Sequence, residues 1–286
     1  MTVLGAVLGG GLVGCGSSGD SRGKTPSAGR TPVAAHAPAH PPSSTPPAAP
    51  PAAKPPTMAP GPAGLTPVFK RGLRSTGKVV ALTFDADMTA DEGPRAAEGE
   101  RFDNPELIAL LRRLKVPATV FMTGRWAEEY PAQARSIGTD PLFEIANHSY
   151  SHYAFTSPCY GLPTVEDDAM RGEVERAFGA IRKTGARHVV PYFRFPGGCY
   201  DDASLRALAP EKVTAVQWDV VSGDAFATDA DAVAQQVLDG VKPGSLVVMH
   251  CTRSAAPVTD EAVDQVVPEL RKRGYRFVKV SELMSG

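Results

Sequence analysis

Between residues 78 and 280 short apolar runs repeatedly give way to a polar residue and then to a helical pattern, and this rhythm restricts the chain to few folds. Residues 78–84, 118–122, 189–193, 213–218, 245–249 and 276–280 read as strands. Between the first two, Asn104, Pro105 and Glu106 form a helix start: an N-cap, a proline whose missing N–H costs nothing there, and an acidic first turn. Leu107, Leu110, Leu111 and Leu114 then recur at helical spacing. Thr164 is expected to cap a helix carrying Val165, Ala169, Val174, Phe178 and Ile181, and further helices are expected over 204–209, 230–238 and 261–272. Strands alternating with helices imply parallel βα units. Asp85, Arg194, Asp224 and His250 each follow a strand, the end at which such folds gather their chemistry.

The first 64 residues have a different character. Residues 1–14 are apolar and glycine-rich, without an acidic residue, and are too short for a membrane span of about 20 residues. Leu12-Val13-Gly14-Cys15 resembles the lipobox of bacterial lipoproteins, which makes 1–15 a lipoprotein-type signal segment with lipidation at Cys15; an ordinary secretory leader is the alternative. Either way the chain is expected to be exported, to the outer face of the cytoplasmic membrane or beyond, touching membrane only through that N-terminal anchor. Residues 16–64 hold thirteen prolines among Ala, Ser, Thr and Gly, a composition that cannot bury enough surface to order itself. They are expected to be a disordered, extended spacer. His36 and His40 fall in it and are not expected to bind metal.

Residues 65–286 have globular composition and, at about 220 residues, suffice for one domain with its own core. A net charge of −1 and the lack of a basic patch argue against nucleic acid, and a monomer is expected. An exported chain can oxidise cysteines. Cys159–Cys199 is the expected bridge, Cys199–Cys251 the alternative, and three free thiols the third reading.

Two pieces of the chain carry metal and acid–base chemistry. His148 and His152, four residues apart on one face of an expected helical turn, are near enough to share a cation, although such a pair alone is more often structural. Asp85 and Asp87 end the first strand, where one carboxylate can hold metal while the other takes a proton; a turn or capping aspartate is the plain reading.

Taken together, Thr83–Asp87, Asn147–His152, Arg194-Phe195-Pro196-Gly197-Gly198, Trp218–Asp224 and Val248-Met249-His250 resemble, in order, the five signature segments of the polysaccharide deacetylases with a NodB homology domain, carbohydrate esterase family 4. Residues 117–121 are similar to the strand between the first two. The resemblance covers about residues 78–283. It implies an α/β fold, a distorted and incomplete (β/α) barrel with catalytic residues at the C-terminal ends of parallel strands. It also implies Asp85 as base, His148 and His152 as ligands of a divalent metal (zinc ahead of other ions), and Arg194 as the holder of the base. Gly197 then stands as backbone oxyanion donor, Asp224 orients the last histidine, and His250 is the general acid.

This sequence departs from the family pattern in three places. Ala86 stands where the metal-binding aspartate is expected, so Asp87 is taken as that ligand, because side chains two apart leave an extended strand on the same side. Cys251 replaces an aspartate after the acid histidine, and Ala225-Phe226 replace a tryptophan at the wall of the sugar site. The expected activity is removal of N-acetyl groups from a glycan, peptidoglycan first and chitin-type oligomers second. An O-acetyl polysaccharide esterase and a non-catalytic carbohydrate-binding homologue are the alternatives.

Overall fold

Nine parallel strands make one sheet in the computed structural model, which describes residues 54–286 apart from Thr76. They are β1 (Val68–Phe69), β2 (Val79–Ala86), β3 (Ala118–Met122), β4 (Phe143–Asn147), β5 (Val189–Phe193), β6 (Thr214–Val216), β7 (Val220–Val221), β8 (Ser245–His250) and β9 (Arg276–Phe277). Their order is β1-β6-β5-β4-β3-β2-β8-β7. Val80 pairs with Ser245 of β8 and with Phe277 of β9, while β3 joins β2 only from Thr83 on; β9 therefore fills the space beside the start of β2 that β3 leaves. Since β1 and β7 remain edges, the curled sheet is an incomplete barrel.

The helices among the described residues are α1 (Gly93–Ala97), α2 (Pro105–Arg113), α3 (Gly124–Glu129), α4 (Pro131–Gly138), α5 (Met170–Lys183), α6 (Asp202–Leu208), α7 (Ala230–Gly240), α8 (Thr259–Lys272) and α9 (Val280–Ser285). Their starts follow local chemistry. Asn104 accepts from Leu107 N–H, Thr123 from Trp126 N–H, and Asp229 from the N–H groups of Asp231 and Ala232. Asp201 and Ser204 cap α6 reciprocally.

β2 is buried along its whole length, as a central parallel strand must be. Its two faces differ in chemistry. Leu82, Phe84, Ala86 and then Met88 enter the main apolar core with Val120, Met122, Val247 and Met249. The alternate residues Thr83 and Asp85 point to the other face, where buried polar groups meet. Ala86 thus belongs to the apolar layer.

Several expectations need correction. Thr164 caps no helix: it bridges to Ala154, and α5 begins at Met170, after a 3₁₀ turn of Asp167–Ala169. The strand expected over 276–280 ends at Phe277, and Val280 opens α9, whose first N–H groups donate to Thr119 Oγ1 and Glu144 Oε1. The spacer expected to be disordered through residue 64 ends sooner. Met58 N–H donates to Thr214 Oγ1, Tyr192 O–H donates to Pro56 O, and residues 62–64 form a 3₁₀ turn, so the last part of the proline-rich stretch belongs to the folded unit. These bonds satisfy backbone groups that a free spacer would leave to water. The leader, Cys15, His36, His40 and the spacer before residue 54 lie outside the described residues.

Because Ala86 faces the apolar core, Ala86→Asp is expected to bury an unpartnered carboxylate and lower stability by about 3 kcal/mol or more. The denaturant midpoint of the purified variant measures this.

Candidate active site

The polar residues that follow the strands converge at one end of the sheet. Asp85 is the last residue but one of β2 and His250 closes β8, and the two are register partners in adjacent parallel strands. Arg194 leaves β5 and is fully buried, at 0% exposure. Its Nη1 donates to Asp85 Oδ1 at 2.6 Å, its Nη2 to Thr83 Oγ1 at 2.8 Å, and its Nε to the Val216 carbonyl at 3.2 Å. The guanidinium also lies 3.8 Å over the Phe121 ring. Burial lowers the Arg194 pKa, and Asp85 counteracts this. This bond orients Asp85, whose Oδ2 lies 3.6 Å from His148 Nε2.

His148 and His152 do not lie on a helical turn. They occupy a loop after β4 in which Ser149 (φ 67°) and His152 (φ 58°) are left-handed, which brings the two rings to 5.0 Å between centroids. Asn147 Oδ1 accepts from Ser149 N–H, and Ser149 Oγ from His152 N–H. Buried Glu173, at the start of α5, accepts from the N–H groups of Tyr150 and Ser151 and from the Ser151 hydroxyl. This Glu173 clamp is not visible in the sequence, where it reads as an ordinary acidic residue inside a helix.

Asp87 leaves β2 beyond Ala86 and reaches His152, with Oδ2 3.7 Å from Nε2. Its other oxygen accepts a short hydrogen bond from Thr252, whose hydroxyl also accepts from Asp87 N–H. Burial alone would raise the Asp87 pKa. His152, His250, the Thr252 hydroxyl and His148 outweigh it and hold the carboxyl below its ordinary value.

On the opposite side Asp224 grips His250 twice, accepting from its backbone N–H at 2.7 Å and lying 2.9 Å from ring Nδ1. The hydroxyls of Ser222 and Thr259 complete the carboxylate's partners. Burial works against a charged His250, but Asp224, helped by Asp87 and Asp85, lifts its pKa to about 10. Asp224 therefore favours the protonated ring of His250 at neutral pH. His148 has the opposite character: burial brings it down to about 4 and keeps it neutral.

Gly197 sits in a 3₁₀ turn with φ 63°, followed by Gly198 at 73°. A Cβ on Gly197 would come within 2.6 Å of Cys159 Sγ, so only glycine fits. Cys159 and Cys199 are joined in a disulfide that ties the loop before α5 to this turn. Cys251 is free and buried, and burial pushes its thiol up to about 12.

Among the described residues no set of three or more His, Cys, Asp or Glu side chains closes into a metal site as placed. The donors themselves suit a divalent cation. His148 Nδ1 lies 2.9 Å from the Arg194 carbonyl, which only accepts, so Nδ1 carries the hydrogen and Nε2 keeps its lone pair. The 3.7 Å between Asp87 and His152 is a distance that two ligands, each about 2.0–2.2 Å from one cation, can span.

A parallel barrel with a pinned carboxylate, two neighbouring imidazoles and a carboxylate-backed histidine at its C-terminal mouth defines a class, the deacetylase-type carbohydrate-active folds. A sequence profile described as "Polysaccharide deacetylase" matches residues 73–216. The chain belongs to the polysaccharide deacetylase family, with its NodB homology, carbohydrate esterase family 4 domain. It is 30% identical over 198 residues to a chitooligosaccharide deacetylase of Sinorhizobium fredii, covering 66% of this chain and 86% of that one. It is 28% identical to a peptidoglycan-N-acetylglucosamine deacetylase of Bacillus cereus, covering 72% and 88%. Among solved structures, a family 4 pseudoenzyme from Bacillus anthracis superposes with a TM-score of 0.62 at 25% identity, over 79% of this chain and 69% of that one.

Arg194→Ala is expected to cost about 3–5 kcal/mol by leaving Asp85 buried without its partner, and Arg194→Lys, which lacks the fork, is expected to recover little of it. Urea unfolding measures both. Cys251 is expected to be silent to thiol reagents in the native protein and to react only after denaturation.

Proposed function

We propose that the protein is a metal-dependent hydrolase that removes N-acetyl groups from a glycan, with the N-acetylglucosamine of peptidoglycan as first substrate and chitin-type oligomers as second. The observation that carries this reading is the pairing of Asp85 with His250 across β2 and β8, one locked by Arg194 and the other by Asp224. A base and an acid on neighbouring strand ends are what hydrolysis of an amide requires.

Asp87, His148 and His152 are the residues that would hold the cation, zinc first. When bound, it would polarise the acetyl carbonyl and lower the pKa of water beside it. Asp85 takes the proton of the attacking water, its orientation maintained by the Arg194 guanidinium. The Gly197 N–H donates to the oxyanion that develops on the carbonyl oxygen. His250 passes its proton to the leaving amine, and Asp224 holds the ring for that transfer.

The two named relatives act on chitooligosaccharide and on peptidoglycan N-acetylglucosamine, which supports the substrate class. We also propose export as a lipoprotein acylated at Cys15; the Cys159–Cys199 bridge supports an oxidising compartment. The second reading, a carbohydrate-binding domain without catalysis, draws on Ala86 and on the likeness to a pseudoenzyme.

Acetate release from peptidoglycan, chitooligosaccharide and acetylxylan, measured side by side with chelator and metal add-back, decides among these. Chelation is expected to abolish release and metal to restore it. Asp85→Asn and His250→Ala are each expected to lower kcat by about a hundredfold or more. Full activity in either variant would remove the enzyme reading. Asp87→Asn is expected to reduce the metal retained by the purified protein, as measured by elemental analysis.

The Asp224 carboxylate raises the His250 pKa, so the protonated acid is present below that pKa and lost as pH rises through it. Asp224→Asn is accordingly expected to move the alkaline limb of kcat to lower pH, with the same shift in the His250 ring resonance by NMR titration.

A further inference from the structure

The turn that presents the Gly197 N–H is built from the two least restrained residues a chain can offer. Gly197 and Gly198 follow one another in left-handed conformation, and paired glycines keep more backbone freedom than any other pair. Two hydrogen bonds brace the turn: Gly198 N–H donates to Phe195 O at 2.8 Å, and Gln217 Nε2 donates to Gly198 O at 2.9 Å. Both fall on Gly198, one residue past the proposed oxyanion donor.

The Cys159–Cys199 bridge acts on Gly197 itself. Cys199 directly follows the two glycines, and its Sγ lies 3.7 Å from Gly197 O. Cys159 Sγ lies 3.7 Å from Pro196 O and fills the place where a Gly197 side chain would begin. The turn is therefore gripped by sulfur on both sides of its first glycine. Cys159 is itself well fixed. Its loop, residues 155–163, has no helix or strand, but Ala154 N–H donating to Pro163 O and Val165 N–H to Ala154 O close the stem. Leu162 N–H donates to Cys159 O within it, and Thr156 Oγ1 donates to Asp201 Oδ2 beyond the turn. Cys159 is buried and Cys199 half-buried, so Cys199 is the sulfur that an external thiolate can reach.

We propose that the Cys159–Cys199 disulfide is a positioning element for the oxyanion donor, so that turnover depends on the oxidation state of this pair. The bridge keeps the Gly197 N–H aimed at the substrate carbonyl oxygen. Its reduction loosens the turn and slows turnover, while the sheet, the metal ligands and sugar binding stay as they are. The role of Gly197 rests on the hydrolase reading above. Reduction takes a dithiol: one thiolate attacks Cys199 Sγ, the S–S bond breaks, and Cys159 leaves as a thiolate and takes a proton. The second sulfur of the dithiol then displaces Cys199, so two electrons pass to the protein and the dithiol ends as its cyclic disulfide.

The full chain is assayed oxidised, after reduction with dithiothreitol and its anaerobic removal, and as the double variant Cys159→Ser/Cys199→Ser. With N-acetylglucosamine hexamer as substrate, kcat is expected to fall about tenfold or more in the reduced protein and in the variant, with KM changed by less than about twofold. Metal content by elemental analysis is expected to be unchanged, and reoxidation to restore the wild type alone. Amide exchange at Gly198, followed by NMR, is expected to quicken about tenfold on reduction, with β2 and β8 unaffected. A bridge that only stabilises the fold would lower the melting temperature and leave kcat alone. Unchanged kcat in the reduced protein therefore overturns the proposal, as does unchanged exchange at Gly198. An oxidised wild type that releases no acetate removes the hydrolase reading instead, and the Gly198 exchange then decides by itself whether the bridge holds the turn.

Discussion

The buried ion pair between Arg194 and Asp85 is the contact on which the rest of this site depends. A guanidinium at 0% exposure survives only if each face of it is answered, and here a carboxylate, the Thr83 hydroxyl, the Val216 carbonyl and the Phe121 ring supply the answers. Those partners come from β2, β3 and β6, so satisfying one side chain draws these strand ends together. The Arg194 carbonyl then fixes the His148 tautomer. One residue thus orients the Asp85 carboxylate through its side chain and a neighbouring imidazole through its backbone.

The period of two along β2 gives the site its sidedness. Leu82, Phe84, Ala86 and Met88 contribute to the apolar layer, and Thr83, Asp85 and Asp87 leave toward the polar face. The family's usual carboxylate position lies in this chain on the wrong side of that alternation for a charge. A carboxylate one step later returns to the polar face and meets His152. The surrounding hydroxyls complete the arrangement, Thr252 on Asp87 and Ser222 with Thr259 on Asp224.

What the chain discloses beforehand and what it hides divides by distance along it. β3 and β5 are legible to the residue, because continuous apolar runs between turn signals leave little choice. Asp85, Arg194 and His250 are legible for the same reason, each being the polar residue that ends such a run. β4 is hidden by Glu144, a charge in the middle of a buried strand, which is tolerated because Thr119 and Ser281 satisfy it. The loop of His148 and His152 has the spacing of a helical turn, but Ser149 and His152 are left-handed and the N–H groups of Tyr150 and Ser151 between them are taken by Glu173, more than twenty residues away. Thr164 has the chemistry of an N-cap but is drawn into a bridge with Ala154. The composition of 54–64 announces a spacer, and nothing local reveals that Pro56 and Met58 have partners on β5 and β6.

Those last two bonds also have a mechanical meaning. The first described residues touch the barrel near the starts of its strands: Met58 is tied to Thr214, the first residue of β6, and Lys54 and Pro56 lie beside Phe143 and His188. Asp85 and His250 stand at the opposite ends of their strands. Tension applied from upstream would therefore enter the fold at its base and be borne by the sheet's own ladder, with the cleft at the far end and out of the line of load.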